Sequence, residues 1–215
     1  MHKRKMAAGI LLAALMLYGC GEKEPDMDSE TVEAAEALTS EVEVRKDGSI
    51  VETVVEDFPE EFYNGENLRN MILSEVENYN KGHGDSGISV DKLEQKNGAV
   101  TVQMKYPSAE VYSVYNTDEY NHMSFFSGTV SQAFDAGYPM DVMLQDPKGN
   151  ESIGKAQLLE MGEQKIVISE NPMRIRVDGR IQYTSSNVTV SGKDEAVLAG
   201  TGEEDAAEIY YIIYK

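Results

Sequence analysis

The stretch KGHGDSGIS, residues 81–89, places a histidine, an aspartate and a serine within four positions. These are the residue types of a nucleophilic hydrolase, in which a base activates the serine hydroxyl and an acid orients the base. His83, Asp85 and Ser86 are therefore the first candidates for catalysis. His83, Asp85 and His122 are also candidate ligands of a zinc or iron site, because both metals bind imidazole and carboxylate groups.

The spacing of these residues argues against both kinds of chemistry. The run GDSG at residues 84–87 resembles the sequence around the nucleophile of trypsin-like proteases, but Ile88 replaces the second glycine that follows in that family. Apart from the adjacent His83, the only histidine upstream of Ser86 is His2. No two of the candidate metal ligands show the i, i+4 spacing of a helical metal site. We interpret this stretch as a helix end followed by a flexible turn.

Aromatic residues between positions 106 and 126 form another candidate surface. A tyrosine combines a large apolar area with a polar hydroxyl, which suits a platform for a sugar or a peptide. The alternative is that these rings pack short helices onto a sheet. The candidate ligand-binding residues are Tyr106, Tyr112, Tyr115 and Tyr120.

The N-terminus carries the most specific signal in the sequence. Basic residues at positions 2–5 precede a run of 13 apolar residues, Met6 to Tyr18. A helix of that length spans about 20 Å, too little for a hydrocarbon core of about 30 Å. The pattern is typical of a secretory signal peptide and not of a membrane span.

The sequence Leu17-Tyr18-Gly19-Cys20 resembles the lipobox of bacterial lipoproteins, in which a peptidase cuts before a lipid-modified cysteine. Tyr18 departs from that pattern, since a small residue is usual there. The resemblance implies a signal peptide at residues 1–19 and diacylglycerol on Cys20, which would hold the protein at the extracellular face of the cell membrane. Cys20 is the only cysteine, so the mature chain would have no thiol for a disulfide or a metal.

The charge of the chain limits its partners. There are 19 basic and 38 acidic residues, a net charge of −19, and loss of the basic residues Lys3, Arg4 and Lys5 with the signal peptide would make it −22. Such a surface argues against nucleic acid and against anionic lipid head groups as partners. We therefore expect membrane contact through the lipid alone. We also expect that the protein binds no cofactor and is a monomer. The candidate partners are an envelope protein, a peptide or a saccharide.

Two regions are predicted after the signal peptide. Residues 20–41 are strongly acidic and contain no aromatic residue, which predicts a disordered, self-repelling tether. Residues 42–215 have the length of a single globular domain. Alternating apolar and polar residues on both sides of Asp47-Gly48 and of Asn97-Gly98 predict two β-hairpins in that domain.

An amphipathic helix is predicted between the hairpins, from about Glu66 to Lys81. Its apolar residues recur at helical spacing: Leu68, Met71, Ile72, Val76 and Tyr79. We expect Met71 and Ile72 to lie in the core, where truncation of either to alanine would cost roughly 2–5 kcal/mol. Two short helices follow, one capped by Ser108 and one beginning with a capping box at Thr129 to Gln132 and burying Phe134.

The second half of the chain is predicted to be rich in β-strands. Seven short strands are expected after Pro139, within residues 141–145, 165–169, 173–177, 180–185, 187–191, 195–199 and 208–215. On the last of these, Tyr210 and Tyr214 should share a buried face with Ile212. The fold class is therefore α+β, with a mainly antiparallel sheet, one principal amphipathic helix, two short helices and a β-rich C-terminal half.

This order of elements, and the phrase FFSGTVSQAFDAGY at residues 125–138, resemble small acidic lipoproteins of gut-dwelling Gram-positive bacteria. The resemblance implies a fold and a location but no activity. We predict a non-catalytic binding or accessory domain at the cell surface. The alternatives are a hydrolase or metalloenzyme whose site is assembled from separated residues, and a small solute-binding lipoprotein, for which two lobes would be cramped in this length.

Overall fold

The structure, a computed structural model, describes residues 40–57, 64–84, 87–96, 98–118, 121–199 and 208–215. The predicted signal peptide with Cys20, nearly all of the predicted tether, and the candidates Asp85, Ser86 and Tyr120 lie outside these ranges. None of the described helices combines the length and the apolar character that crossing a membrane requires.

The described chain folds into helices and strands that confirm the α+β class. The helices are α1 (Gly65–Gly82), α2 (Ala109–Tyr115), α3 (Val130–Asp135) and α4 (Lys155–Glu160). The strands are β1 (Glu41–Val44), β2 (Ile50–Asp57), β3 (Ser89–Lys96), β4 (Ala99–Tyr106), β5 (Phe125–Thr129), β6 (Leu144–Gln145), β7 (Ser152–Ile153), β8 (Lys165–Ser169), β9 (Met173–Val177), β10 (Ile181–Thr184), β11 (Val188–Val190), β12 (Glu195–Leu198) and β13 (Tyr210–Tyr214).

The strands form two sheets. Sheet A has the order β11-β12-β9-β1-β2-β4-β3, and sheet B has the order β5-β8-β13-β10-β6-β7. The described strand pairs are antiparallel except for the pair of β1 with β9. In that parallel pair, Arg176 on β9 binds Glu41 on β1 and also Glu195 on β12. One arginine thus joins three neighbouring strands of sheet A.

Both predicted hairpins are present. β1 pairs with β2, and β3 pairs with β4. Gly48 and Gly98 have φ angles of 83° and 75°, a left-handed conformation that glycine adopts without steric cost. All seven strands predicted after Pro139 also occur, although β6 keeps only two residues of its predicted range.

The main core lies between the inner face of sheet A and sheet B. On β13, Tyr210, Ile212 and Tyr214 point into this core, which confirms the predicted face. The two residues between them, Tyr211 and Ile213, enter a second core on the other side of sheet B. The strand is therefore buried on both faces, and it reads in sequence as a continuous apolar run.

The helices α3 and α4 cover that second core. The predicted capping box of α3 is present, since Gln132 N–H donates to Thr129 Oγ1 at 3.2 Å and Thr129 N–H donates to Gln132 Oε1 at 2.8 Å. Val130 and Ala133 are fully buried, but Phe134 is 51% exposed, so its predicted burial is wrong. The six-residue helix contacts the sheet through Val130 and Ala133, and Phe134 lies in its last turn.

Candidate functional site

The helix α1 matches its prediction and is fixed at both ends. At its start, Asn67 N–H donates to the side chain of Asn64 at 2.9 Å. At its end, the side chain of Asn80 donates to Ile88 O at 2.9 Å and accepts from Ile88 N–H at 3.1 Å. Asn80 thus joins the last turn of α1 to the residue before β3.

The apolar face of α1 does not close fully onto the sheet. Val76 is buried, whereas Leu68 and Ile72 are only partly buried and Met71 is 51% exposed. The prediction that Met71 lies in the core is therefore wrong, and Ile72 is not fully buried either. The contacts of α1 with the sheet are mainly with β3, at the edge of sheet A. A groove remains between α1 and the strands β2 and β4.

The groove has a volume of about 230 Å³ and lies between α1 and the inner face of β2 and β4. Most of its wall is aliphatic or methionine side chain, including Val54, Val102 and Met104 from the sheet. Its charged groups, among the described residues, are all carboxylates. They are Glu52, Glu56 and Glu75.

Glu52 reaches the groove because of strand alternation on β2. Ile50, Glu52 and Val54 point to the same face, and both the isoleucine and the valine are buried there. Glu52 itself is partly exposed and lines the groove. The residues directly opposite Glu52 are Val42 on β1 and Met104 on β4. The carboxylate is therefore surrounded by apolar side chains on its own strand and on both neighbouring strands.

Two tyrosines provide the hydrogen bonds of Glu52. The hydroxyl of Tyr106 donates to Glu52 Oε2 at 2.8 Å, and the hydroxyl of Tyr112 donates to Oε1 at 3.3 Å. Burial raises the pKa of the Glu52 carboxyl, and the two hydrogen bonds partly oppose that change. Burial, and then the nearby charge of Glu52, raise the pKa of both tyrosines. Both hydroxyls therefore keep their protons and act as donors.

The structure brings together three of the four tyrosines that the sequence offered as ligand-binding residues. The rings of Tyr106 and Tyr112 meet edge-on, with centroids 5.1 Å apart, and Tyr115 lies 5.7 Å from Tyr106. Tyr106 and Tyr112 are almost completely buried, so they do not form an exposed platform. Tyr112 on α2 also packs against Phe125 on β5. The hydroxyls of Tyr106 and Tyr112 instead converge on Glu52 beneath the groove.

The described histidines have other surroundings. The ring of His83 stacks on Tyr79, with centroids 3.9 Å apart, and its Nδ1 lies 2.9 Å from the Tyr79 carbonyl oxygen. His122 accepts a hydrogen bond from Asn171 through its backbone carbonyl. Across the described ranges, no group of three or more histidine, cysteine, aspartate or glutamate side chains is arranged to hold a metal ion.

Glu52 is the functional candidate that the sequence reasoning missed. In IVETVVED, either Ile50 and Val54 or Val51 and Val55 could form the buried face of β2. The second choice places Glu52 and Glu56 in solvent, and for an isolated strand it costs less free energy than burying them. The sequence feature that could have indicated Glu52 is the tyrosine-rich segment, because buried tyrosine hydroxyls need hydrogen-bond acceptors.

We expect Glu52→Gln to abolish a pH-dependent part of the stability. The folded state raises the pKa of Glu52 above 4.5, so it holds this proton more tightly than the unfolded state does. This carboxyl therefore lowers the free energy of unfolding as pH rises from about 4.5 through its folded-state pKa, by about 1.4 kcal/mol for every tenfold difference in proton affinity between the two states. Urea unfolding between pH 4 and pH 8 should show that the free energy of unfolding of the variant rises, relative to that of the wild type, as pH rises.

The matched control for this measurement is Glu160→Gln. Glu160 is an exposed residue at the end of α4, and its replacement changes the net charge by the same amount. The difference in free energy of unfolding between Glu160→Gln and the wild type should stay constant over the pH range. A constant difference for Glu52→Gln as well would show that Glu52 is solvated like an ordinary surface carboxylate.

The described part of the chain thus contains a concave apolar site with a carboxylate held at its base by two tyrosine hydroxyls. No known protein family, curated protein or solved structure matches this chain, so the interpretation of the groove depends on its own chemistry.

Proposed function

We propose that this protein is a lipid-anchored binding domain at the outer face of the cell membrane, and that the groove beside α1 takes a small ligand. The observation that most supports the ligand-binding role is the groove itself. Ligand sites are typically concave and mostly apolar, with a few convergent polar groups that orient the ligand. The groove combines such walls with the hydrogen-bonded carboxylate of Glu52.

The packing of α1 supports a ligand-binding role over a purely structural one. A helix that lay flat on the sheet would bury Met71 and Ile72, and each fully buried side chain of this kind contributes about 1.5–3 kcal/mol. The fold instead leaves these side chains at the wall of an open groove. An apolar ligand would bury them and so recover part of that free energy on binding.

The size of the groove favours a small ligand. Its volume of about 230 Å³ is below the roughly 300–1,000 Å³ of pockets that enclose drug-sized molecules. A short alkyl chain or a single side chain of a peptide fits this space better than an extended polymer.

The same groove suits the small solute-binding alternative. The metalloenzyme alternative has less support, because no group of three or more histidine, cysteine, aspartate or glutamate side chains among the described residues is arranged to hold a metal ion.

The location is proposed from the sequence around Cys20. Diacylglycerol would supply two acyl chains, and two chains give stable anchoring where one gives only marginal binding. The acidic residues that follow would extend away from the membrane surface. A domain held in this way would meet small molecules outside the cell.

Binding of n-hexanol is the direct test of the groove, since this probe is small, apolar and uncharged. In full-length protein held in nanodiscs of zwitterionic lipid and labelled at the methionine methyl carbons, n-hexanol should shift the NMR signals of Met71 and Met104. Both residues line the groove. Met143 is 64% exposed elsewhere on the surface and is the internal control, because its signal should not move.

A pair of variants tests the position of the bound probe. Met71→Trp should fill the groove and abolish the shift at Met104, whereas Leu73→Trp should leave it unchanged. Leu73 lies two residues further along α1, is 40% exposed and does not line the groove. Equal shifts at Met143 and Met104, or no effect of Met71→Trp, would rule out the groove as the binding site.

A further inference from the structure

The charges around the groove are all of one sign. Glu52 lies at its base, Glu56 follows four residues later on the same face of β2, and Glu75 faces them from α1. Among the described residues that line the groove there is no lysine, arginine or histidine. The groove is therefore an apolar site with a negative potential, which attracts cations and repels anions.

The carboxylate of Glu52 has unused capacity for hydrogen bonds. An ionised carboxylate offers about four lone-pair positions, and the described contacts use one on each oxygen for the hydroxyls of Tyr106 and Tyr112. Neutral donors do not compensate the charge, and the described ion pairs do not include Glu52. A carboxylate surrounded by apolar side chains in this way is stabilised by a ligand that brings a positive charge.

We propose that the ligand of the groove is a small organic cation, an ammonium group on a short apolar chain, with the ammonium against Glu52 and the chain along α1. This inference depends on the proposed function of the groove as a ligand site. An ammonium group carries three donors and can bind the free positions of the carboxylate. The ring of Tyr115 at the wall of the groove offers a further attraction for a cation.

A neutral ligand or an anionic ligand fits the groove less well than a cation. A neutral alcohol fills the same space but leaves the Glu52 carboxylate without a counter-charge. A carboxylic acid of the same length adds a fourth negative charge beside Glu52, Glu56 and Glu75, which is unfavourable at low local dielectric. Charge, and not only shape, should therefore set the order of affinity.

The affinity for an ammonium ligand should also rise with pH. Pairing requires ionised Glu52, whose pKa burial raises in the free protein. The other acidic groups at the groove are Glu56 on β2 and Glu75 on α1, and their negative charge also favours a cationic ligand. The tyrosine hydroxyls of β4 and α2 stay protonated, since burial raises their pKa further above 10.

Three probes of equal chain length test this inference, with the methionine signals of full-length protein as the readout. At pH 8, n-hexylammonium should bind about tenfold or more tightly than n-hexanol, as expected for a charged hydrogen bond, and n-hexanoate should bind most weakly. The n-hexylammonium affinity should fall between pH 8 and pH 5, while the n-hexanol affinity should not. Glu52→Gln should bring the two affinities within about twofold, and Glu160→Gln should preserve the difference.

The outcomes separate this inference from the proposed function. Equal affinities for n-hexylammonium and n-hexanol would overturn the cation inference but leave the groove as a ligand site. No binding of any probe would overturn both. Shifts of Met71 or Met104 that appear on raising the protein concentration, without any probe, would show that a second copy of the chain occupies the groove and would overturn the inference. The pH series on the wild type tests it even if Glu52→Gln does not fold.

Discussion

Replacement of Ile212 by alanine should lower the free energy of unfolding by about 2–5 kcal/mol. Ile212 is fully buried on β13, where it points between the two sheets, and its strand neighbours are Val167 on β8 and Thr184 on β10. Truncation at this position removes apolar contacts and leaves a cavity that the strands on both sides cannot close. Urea unfolding at constant pH measures the loss.

The same measurement on Met71→Ala should give about 0.5 kcal/mol or less, because half of this side chain is already exposed. The comparison is informative because both residues are large and apolar and both belong to predicted core positions. A loss at Met71 as large as the loss at Ile212 would mean that α1 lies flat on the sheet in solution and that the groove is closed.

Cys20→Ala should leave the protein uncleaved and without its lipid. Cleavage before Cys20 would expose its amino group, and its thiol would carry the diacylglycerol. Burial of each acyl CH₂ contributes about 0.8 kcal/mol, so the loss of two chains removes the anchoring free energy that the lipid supplies. The strongly acidic chain offers no electrostatic attraction to anionic lipid in its place.

Intact-mass analysis of the membrane fraction measures this directly. The wild type should show a mature N-terminus at Cys20 with the added mass of its acyl chains, and Cys20→Ala should remain uncleaved and without that mass. A mature N-terminus at any other residue, or a Cys20 without an acyl group, would contradict the lipoprotein proposal.

Local signals in the sequence predicted much of the fold. The glycines at positions 48 and 98 mark the two hairpins, and the capping residues Ser108 and Thr129 mark helix starts, because each effect involves only neighbouring residues. The alternating side-chain direction along a strand likewise predicts that Tyr210 and Tyr214 on β13 share a face. These features depend on backbone geometry and short-range hydrogen bonds, which the sequence shows directly.

Elements without such signals were missed. The helix α4 begins after Gly154, which has no side chain to act as a cap, and the hydrogen bond from Gly154 N–H to Gln157 is a weak local mark. The strand β7 has two residues and pairs with β6. The division of the strands into two sheets also has no local signal, because it depends on long-range pairing such as that of β1 with β9.

The candidate site was only partly predictable for the same reason. The tyrosines at 106 and 112 were identified from their residue type, but their common partner Glu52 lies more than 50 positions earlier. The helical spacing of Met71 and Ile72 correctly predicts that they share a face. It does not predict how far that face stands from the sheet, which depends on the packing of α1 against β3.

The central claim is that the Glu52 carboxylate, which lies among apolar side chains at the base of the groove, pairs with a cationic ligand. The most direct measurement is a pH titration of its side-chain carboxyl carbon by NMR, with the signal identified by its loss in Glu52→Gln. We predict a pKa above the ordinary value of 4.5 in the free protein, and a lower pKa when n-hexylammonium saturates the groove. A free-protein pKa at or below 4.5, unchanged by n-hexylammonium, would contradict this claim.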